Sequence, residues 1–370
     1  MKYIESLREG ERINEIYLCK VKQSALTKAG KPYDNLILQD KTGTLDAKIW
    51  EPGSVGIDEF DSLDYIAVMG DITSFQGNLQ LNVKRVRKVQ EGEYDPKDYL
   101  PVSKKDIDGM YTELLGLIAS VKHPYLRKLL ESFFVEDKDF EKRFKFHSAA
   151  KSVHHGFVGG LLEHTLNVTK LCDFYTKAYH ALNRDLLLTA AIFHDIGKTK
   201  IPEEILNAPR KLTPEEFEVM KRHPLYSFEL LGDDISEDVR YAVRWHHEKL
   251  DGKGYPDGLK AESISYFARI TTISDIYDAM LSARSYKKEK IPFDVLQWFV
   301  TEGSKGIDQN LLNIFIKNMV KVYRQQQVIM SDGREGCVEY IPLNDMDHPV
   351  VSVGEEVRQV DEDWYCVHMV

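Results

Sequence analysis

The spacing of apolar residues changes period twice along this 370-residue chain, which confines it to a β unit, then an α unit, then a further β segment. Over residues 13–89 apolar and polar positions alternate: Ile16 and Leu18, Leu36 and Leu38, Leu45, Ala47 and Ile49, Ile66 and Val68, then Leu79, Leu81 and Val83. Turn chemistry separates these runs at Ala29-Gly30-Lys31-Pro32, Asp40-Lys41-Thr42-Gly43 and Gln76-Gly77-Asn78. The pattern predicts about five short antiparallel strands in a small barrel of hairpins.

Such a barrel fits an oligonucleotide-binding (OB) fold, although other small barrels share the alternation. Residues 91–105, with Pro96, Pro101 and many charges, read as a linker. Beyond it the period turns helical. Ser103 is placed to cap a helix through Ala119, and further helices fit 124–134, 157–179, 185–193, 238–245, 263–281, 293–302 and 310–323. Thr213-Pro214-Glu215-Glu216 is a capping box that opens a helix running towards Leu231. The strand signal returns at 327–330, the turn Ser331-Asp332-Gly333, then 337–340, 350–353 and 364–370. The expected architecture is multidomain α+β: a barrel over 1–94, a linker over 95–105, an all-α domain over 106–324 and a small β segment over 325–370.

Composition narrows the classes of function. With 43% hydrophobic and 29% charged residues, the chain has the balance of a soluble globular protein. No apolar run approaches the roughly 20 residues of a bilayer span. The charged start, Met1-Lys2-Tyr3-Ile4-Glu5, lacks an apolar signal region, so the expected compartment is the cytoplasm. Cys19, Cys172, Cys337 and Cys366 show no paired spacing, which argues against a disulfide framework and a cysteine zinc site. A net charge of -10 means that any polyanion is held by a local basic patch or by metal ions.

Within the barrel, Tyr33, Trp50 and Phe75 are candidates to stack bases, and Lys48, Lys84 and Arg85, with Lys20, Lys22, Arg87 and Lys88, to track phosphates of a single-stranded nucleic acid. Acidic Asp34, Asp40, Asp46, Asp58, Asp61 and Asp64 are interleaved with them, so a barrel that serves packing or a protein partner stands equally.

The helical region carries the chemistry. Phe193-His194-Asp195-Ile196-Gly197-Lys198 ends an apolar run with two metal-ligand types side by side. Alone, the pair is a helix end with its capping glycine. Together with His164, His223, His246, His247 and Asp275 it makes a set too large for one ion, and imidazole with carboxylate suits iron, manganese, nickel or zinc. After His246-His247-Glu248 comes the loop Asp251-Gly252-Lys253-Gly254-Tyr255-Pro256-Asp257-Gly258, whose glycines let backbone approach a ligand or simply make a turn. Asp275 and Asp278 share a helical face, followed by Arg284 and Lys287, placed either to hold phosphate or to solvate a helix end.

These motifs, in order, resemble the HD-GYP branch of the HD superfamily, cyclic di-GMP phosphodiesterases: His-Asp-Ile-Gly-Lys, Lys-Arg-His-Pro, His-His-Glu, Gly-Tyr-Pro and Ser-Asp-Ile-Tyr-Asp-Ala-Met, within 193–288. The earlier half, from the barrel through the His154 to Thr165 segment, is similar to YhaM-type 3'-to-5' exoribonucleases, in which an OB domain precedes an HD domain. The two resemblances meet near His194 and Asp195.

The resemblance implies a phosphohydrolase with two divalent ions, iron or manganese favoured and magnesium, nickel or zinc compatible. It implies that His164, His194, Asp195 and Asp275 hold one ion, and that Asp195 bridges to a second held by His223, His246 and His247. Lys198 would meet the scissile phosphate or protonate the leaving group. Arg284, Lys287 and the Gly254-Tyr255 loop would bind substrate, and in the exonuclease reading His154 and His155 touch it. Some relatives carry a glutamate four residues before the first histidine, supporting a third ion; Gly160 stands there, so two are expected. Expected partners are a cyclic dinucleotide or a single-stranded nucleic acid, with no membrane and with room for a homo-oligomer. A non-catalytic nucleotide sensor or nucleic-acid-binding adaptor is the alternative from another class.

Overall fold

A computed structural model describes residues 2–27, 30–62, 64–75, 77–90, 92–95, 98–99, 105–149, 157–206, 212–233, 235–282 and 290–370. Arg284, Lys287, His154, His155 and Ser103 lie outside the described residues.

Strands β1 (Arg12–Leu26), β2 (Pro32–Asp40), β3 (Gly43–Ile49), β4 (Tyr65–Phe75) and β5 (Asn78–Lys88) close into a barrel in the order β1-β2-β3-β5-β4. The alternation marks the inward face of the later strands, where Leu36, Leu38, Leu45, Ala47, Ile66, Val68 and Leu81 fill the interior. It does not mark that of β1, where Ile13, Tyr17 and Cys19 face in and Ile16 and Leu18 lie in a separate cluster. The strands are not all short, since β1 runs 15 residues. Nor are they all antiparallel, since β3 and β5 pair in parallel through Ala47 and Leu81. That crossover closes the barrel and leaves no free edge. Gly70 marks a bulge where β4 and β5 come together so closely that a Cβ would lie 2.2 Å from the Asn82 carbonyl oxygen.

The described part of the 91–105 stretch is packed. Tyr94 stacks on Tyr65 at 3.7 Å, and Tyr99 joins Leu18 and Val158 in a small cluster between barrel and helices. The helices are α1 (Ile107–Ala119), α2 (Pro124–Glu131), α3 (Lys138–Phe146), α4 (Gly160–Ala178), α5 (Arg184–Phe193), α6 (Glu203–Leu206), α7 (Pro214–Met220), α8 (His223–Leu231), α9 (Glu237–Trp245), α10 (Tyr266–Leu281), α11 (Pro292–Thr301) and α12 (Gln309–Tyr323). Asp106 caps α1, accepting from the amides of Asp108 and Gly109. The expected helix from Thr213 to Leu231 is two helices, because the chain turns at Lys221 and Arg222 to begin α8 at His223. The capping box at Thr213 forms as expected.

Strands β6 (Gln327–Met330), β7 (Glu335–Tyr340), β8 (Val350–Val353), β9 (Glu356–Gln359) and β10 (Cys366–Met369) form a sheet in the order β10-β6-β7-β8-β9. Its inner face, including Val328, Met330, Val338 and Val351, lies in the same apolar cluster as Tyr175, Ile273, Phe299 and Phe315 of α4, α10, α11 and α12. The four cysteines are free thiols. No described helix is long and apolar enough to cross a membrane.

Candidate metal centre

Three of the central histidines sit at helix ends, and each ring is aimed by the end it occupies. His194 follows the last residue of α5, and its Nδ1 is 2.7 Å from the Ala191 carbonyl oxygen. His246 follows α9 with Nδ1 2.6 Å from the Val243 carbonyl. His223, first residue of α8, has Nδ1 2.8 Å from the Met220 carbonyl at the end of α7. Each Nδ1–H donates to a carbonyl three residues back, which leaves Nε2 as an unprotonated donor pointing inward. His164, inside α4, finds a side chain instead: its Nδ1 lies 2.7 Å from Asp278 Oδ2, while Asp278 Oδ1 accepts from Asn167 at 2.8 Å.

The inward atoms fall into two sets that share one carboxylate. Asp195 Oδ2 lies 3.2 Å from His164 Nε2 and 3.5 Å from His194 Nε2, and Asp275 Oδ1 is also 3.2 Å from His164 Nε2. Asp195 Oδ1 lies 3.1 Å from His223 Nε2 and 3.7 Å from His246 Nε2, with His247 Nε2 3.1 Å from His223 Nε2. Asp275 Oδ2 reaches the second set at 3.7 Å from His247 Nδ1. The sequence therefore names the seven side chains that the fold gathers. Asp278 was missed as the residue that orients His164; its place one helical turn from Asp275 was the available signal.

Electrostatics match a cation site. Burial pushes His164 down, but Asp195, Asp275 and Asp278 outweigh it and raise its pKa well above the ordinary histidine value. Burial and the neighbouring imidazoles hold His246 well below that value, and burial takes His247 down to about 3. Burial opposes ionisation of Asp195, yet Lys198 and the surrounding histidines keep it well below the usual carboxylate range. Asp275 is lowered likewise, against burial, by His164 and His247. Asp195 Oδ1 is fully buried without a hydrogen bond of good geometry, an orphan that a cation would satisfy. The donor types and the orphaned oxygen fit divalent metal.

Two glycines make this approach possible. A Cβ on Gly197 would stand 2.1 Å from the His223 carbonyl oxygen and 2.5 Å from the Ser227 amide, so α8 docks on bare backbone. Ser227 Oγ completes that contact, accepting from the Gly197 amide and donating to the His194 carbonyl oxygen. A Cβ on Gly254 would stand 2.4 Å from Glu248 Cα. Glu248 itself accepts from the amides of Asp257, Gly258 and Leu259, and Asp257 is held by Arg244 and Trp245. The loop thereby places Tyr255 flat on His247, with ring centroids 4.7 Å apart. Burial, Asp275 and Asp195 raise the Tyr255 phenol well above its ordinary pKa, so it stays a proton donor. Lys198 Nζ lies on Asp195 Oδ2. Glu163, beside His164, is turned away and pairs with Lys105 at 3.0 Å.

On the barrel, Tyr33 and Trp50 stack at 5.4 Å, and Lys48 Nζ sits 5.3, 5.2 and 5.9 Å from the rings of Tyr33, Trp50 and Phe75. Trp50 and Phe75 are 46% and 57% exposed, beside a cavity of about 520 Å³ lined by Gln23, Asn35, Asp46, Lys48, Phe75 and Gln80. Lys84, Lys22, Arg87 and Lys88 are drawn into ion pairs with Asp71, Asp34, Glu93 and Asp64, so they do not form an unopposed phosphate track. Arg85 is exposed beside Gly56.

Residues 158–311 match the family described as HD domain. Over 190 residues, 51% of this chain and 58% of the relative, the sequence is 30% identical to 3'-5' exoribonuclease YhaM of Geobacillus sp.. Over 137 residues, 36% of each protein, it is 48% identical to the cyclic di-GMP phosphodiesterase response regulator RpfG of Xanthomonas campestris pv. campestris. The chain thus spans less than two thirds of either relative. A solved HDG"Y"P protein of Bdellovibrio bacteriovorus aligns with a TM-score of 0.38 and 12% identity, over 67% of this chain and 93% of that one.

Proposed function

We propose that the protein is a metal-dependent phosphodiesterase that hydrolyses a nucleotide phosphodiester by attack of water, with cyclic di-GMP the favoured substrate. The observation that carries the chemistry is Asp195, whose two carboxylate oxygens face two separate sets of imidazoles. His164, His194 and Asp275 would complete one ion's ligands, and His223, His246 and His247 the other's, with iron or manganese favoured. Bound divalent ions supply Lewis acidity, lowering the pKa of water and neutralising charge on the phosphoryl group. Lys198, at the rim of the cluster, is the chain's own cation for the scissile phosphate or the proton source for the leaving oxygen. Tyr255, kept protonated, donates a hydrogen bond to substrate. Arg284 and Lys287 are proposed to hold phosphate on the strength of the motif. The 48% identity to a cyclic di-GMP phosphodiesterase favours that substrate.

A second reading, stepwise removal of nucleotides from a single-stranded 3' end, is favoured by the exposed aromatics around Lys48. One experiment separates the two. Protein loaded with manganese or iron is incubated with cyclic di-GMP and, separately, with end-labelled single-stranded RNA, and the products are resolved. Linear dinucleotide or GMP with intact RNA is the expected result. An RNA ladder with untouched cyclic di-GMP would assign the exonuclease instead. If neither substrate changes in the loaded protein, a binding role replaces catalysis.

A further inference from the structure

Next to the metal cluster, reached from it through His247, the protein has a cavity of about 550 Å³ that holds none of the other six candidate ligands. Its size falls within the roughly 300–1,000 Å³ of small-molecule sites. Its wall is assembled from the end of α7, the loop after His247, the face of α10 and the turn between α11 and α12. That last turn is fastened to the loop: the Leu250 amide donates to the Gly306 carbonyl at 2.9 Å. The cavity is therefore a built junction of four segments.

Its charge runs against that of the molecule. The chain carries a net charge of -10, yet Lys221, Lys249, Lys253 and Lys305 line this cavity, opposed there by Glu248 and Glu302. Glu248 is already saturated by three backbone amides. Lys221 pairs with Glu218 at 2.6 Å, and Lys253 approaches Asp251 at 3.9 Å. Lys249 and Lys305, from two different segments, make no ion pair among the described residues. Between the lysines the wall is aromatic. The Trp298 indole lies over Gly303 so closely that a Cβ there would be 2.2 Å from the ring, Phe217 is 47% exposed, and Tyr255 stacks on His247. Lysines around flat apolar surfaces next to a metal cluster match one ligand chemistry: a phosphate joined to a base.

We propose that this cavity is a second nucleotide subsite, which takes the phosphate and base of the nucleotide flanking the bond to be cut, with the phosphate on Lys249 and Lys305 and the base against Trp298. The proposal rests on the reading of the protein as a phosphodiesterase, since it assigns the second half of that substrate. The flanking nucleotide comes from a dinucleotide or from the penultimate position of an RNA strand, and the shared chemistry is the same.

The test needs no turnover. Protein stripped of metal by chelation is titrated with GMP, 5'-phosphorylated linear diguanylate, cyclic di-GMP and a short oligoribonucleotide, following tryptophan fluorescence. Expected are a quench that disappears in Trp298→Phe and an affinity that falls about tenfold in Lys249→Ala/Lys305→Ala, one factor of ten being about 1.4 kcal/mol. The same double variant also flattens the dependence of affinity on salt. The ligand showing this lysine dependence identifies the source. Equal affinity and equal salt dependence in parent and double variant, or no change in Trp298 fluorescence with any ligand, would overturn the subsite. Failure of the hydrolysis assay in the loaded protein would count against the phosphodiesterase reading, while this metal-free binding still decides the subsite.

Discussion

Three histidines here share one local geometry, and it explains why a simple sequence pattern marks a site. An imidazole just past a helix end has a carbonyl within reach of Nδ1, so the capping hydrogen bond and the metal-facing lone pair arise together. His164 has no such carbonyl in mid-helix and depends on Asp278. Asp278→Asn should therefore weaken metal binding about 10–100-fold by relaxing the ring of His164. Competition against a chromophoric chelator measures this, and affinity within twofold of the parent would show that Asp278 does not position the ring. His164 makes a further prediction. Its raised pKa means that metal-free protein holds a proton on His164 near neutral pH, and a cation at Nε2 must displace it. Metal affinity should rise with pH up to that pKa and level off above it. Calorimetry at pH 7 in buffers of different ionisation enthalpy should show proton release on metal binding, lost in His164→Ala.

At the scale of elements, the site is held by close approaches that need an absent side chain. Gly197→Ala would drive a Cβ into the His223 carbonyl and Ser227, and α8 must move to admit it. Overpacking of this kind costs about 1–3 kcal/mol. The expected outcome is a lowered unfolding midpoint together with reduced metal content, because His223 travels with α8. Full metal content in Gly197→Ala would show that the contact tolerates a methyl group. These elements also show what could be read in advance. His164, His194, Asp195, His223, His246, His247 and Asp275 were legible as a set of imidazoles and carboxylates, at helix ends for His194, His223 and His246 and within helices for His164 and Asp275. The inward faces of β2, β3 and β5 were legible because alternation reports which side a residue faces. It does not report the neighbouring strand, so the parallel β3 and β5 pair was not. Strand β9, exposed throughout, has no alternation to read. The break between α7 and α8 was masked because apolar spacing continues across it, although Pro224 in the first turn of α8 is a helix-start signal.

For the whole molecule, the C-terminal sheet bears on the metal centre through packing. Val328 and Met330 of β6 belong to the cluster that holds Ile270, Ile273 and Tyr277, on the same helix as Asp275 and Asp278. A core shared between sheet and helices means that a cavity opened on one side loosens the other. Met330→Ala, at a position only 1% exposed, should cost about 2–5 kcal/mol. If the sheet and α10 unfold as one unit, the loss appears as a single shifted transition, with the helical circular dichroism signal and metal release moving to the same lower temperature. A sheet that folds separately would instead give a new early transition in near-ultraviolet signal, while helix melting and metal release stay at the parent temperature. The common core favours the first outcome, because Val328, Met330, Val338 and Val351 of the sheet share one apolar cluster with Phe299 and Phe315 of the helices.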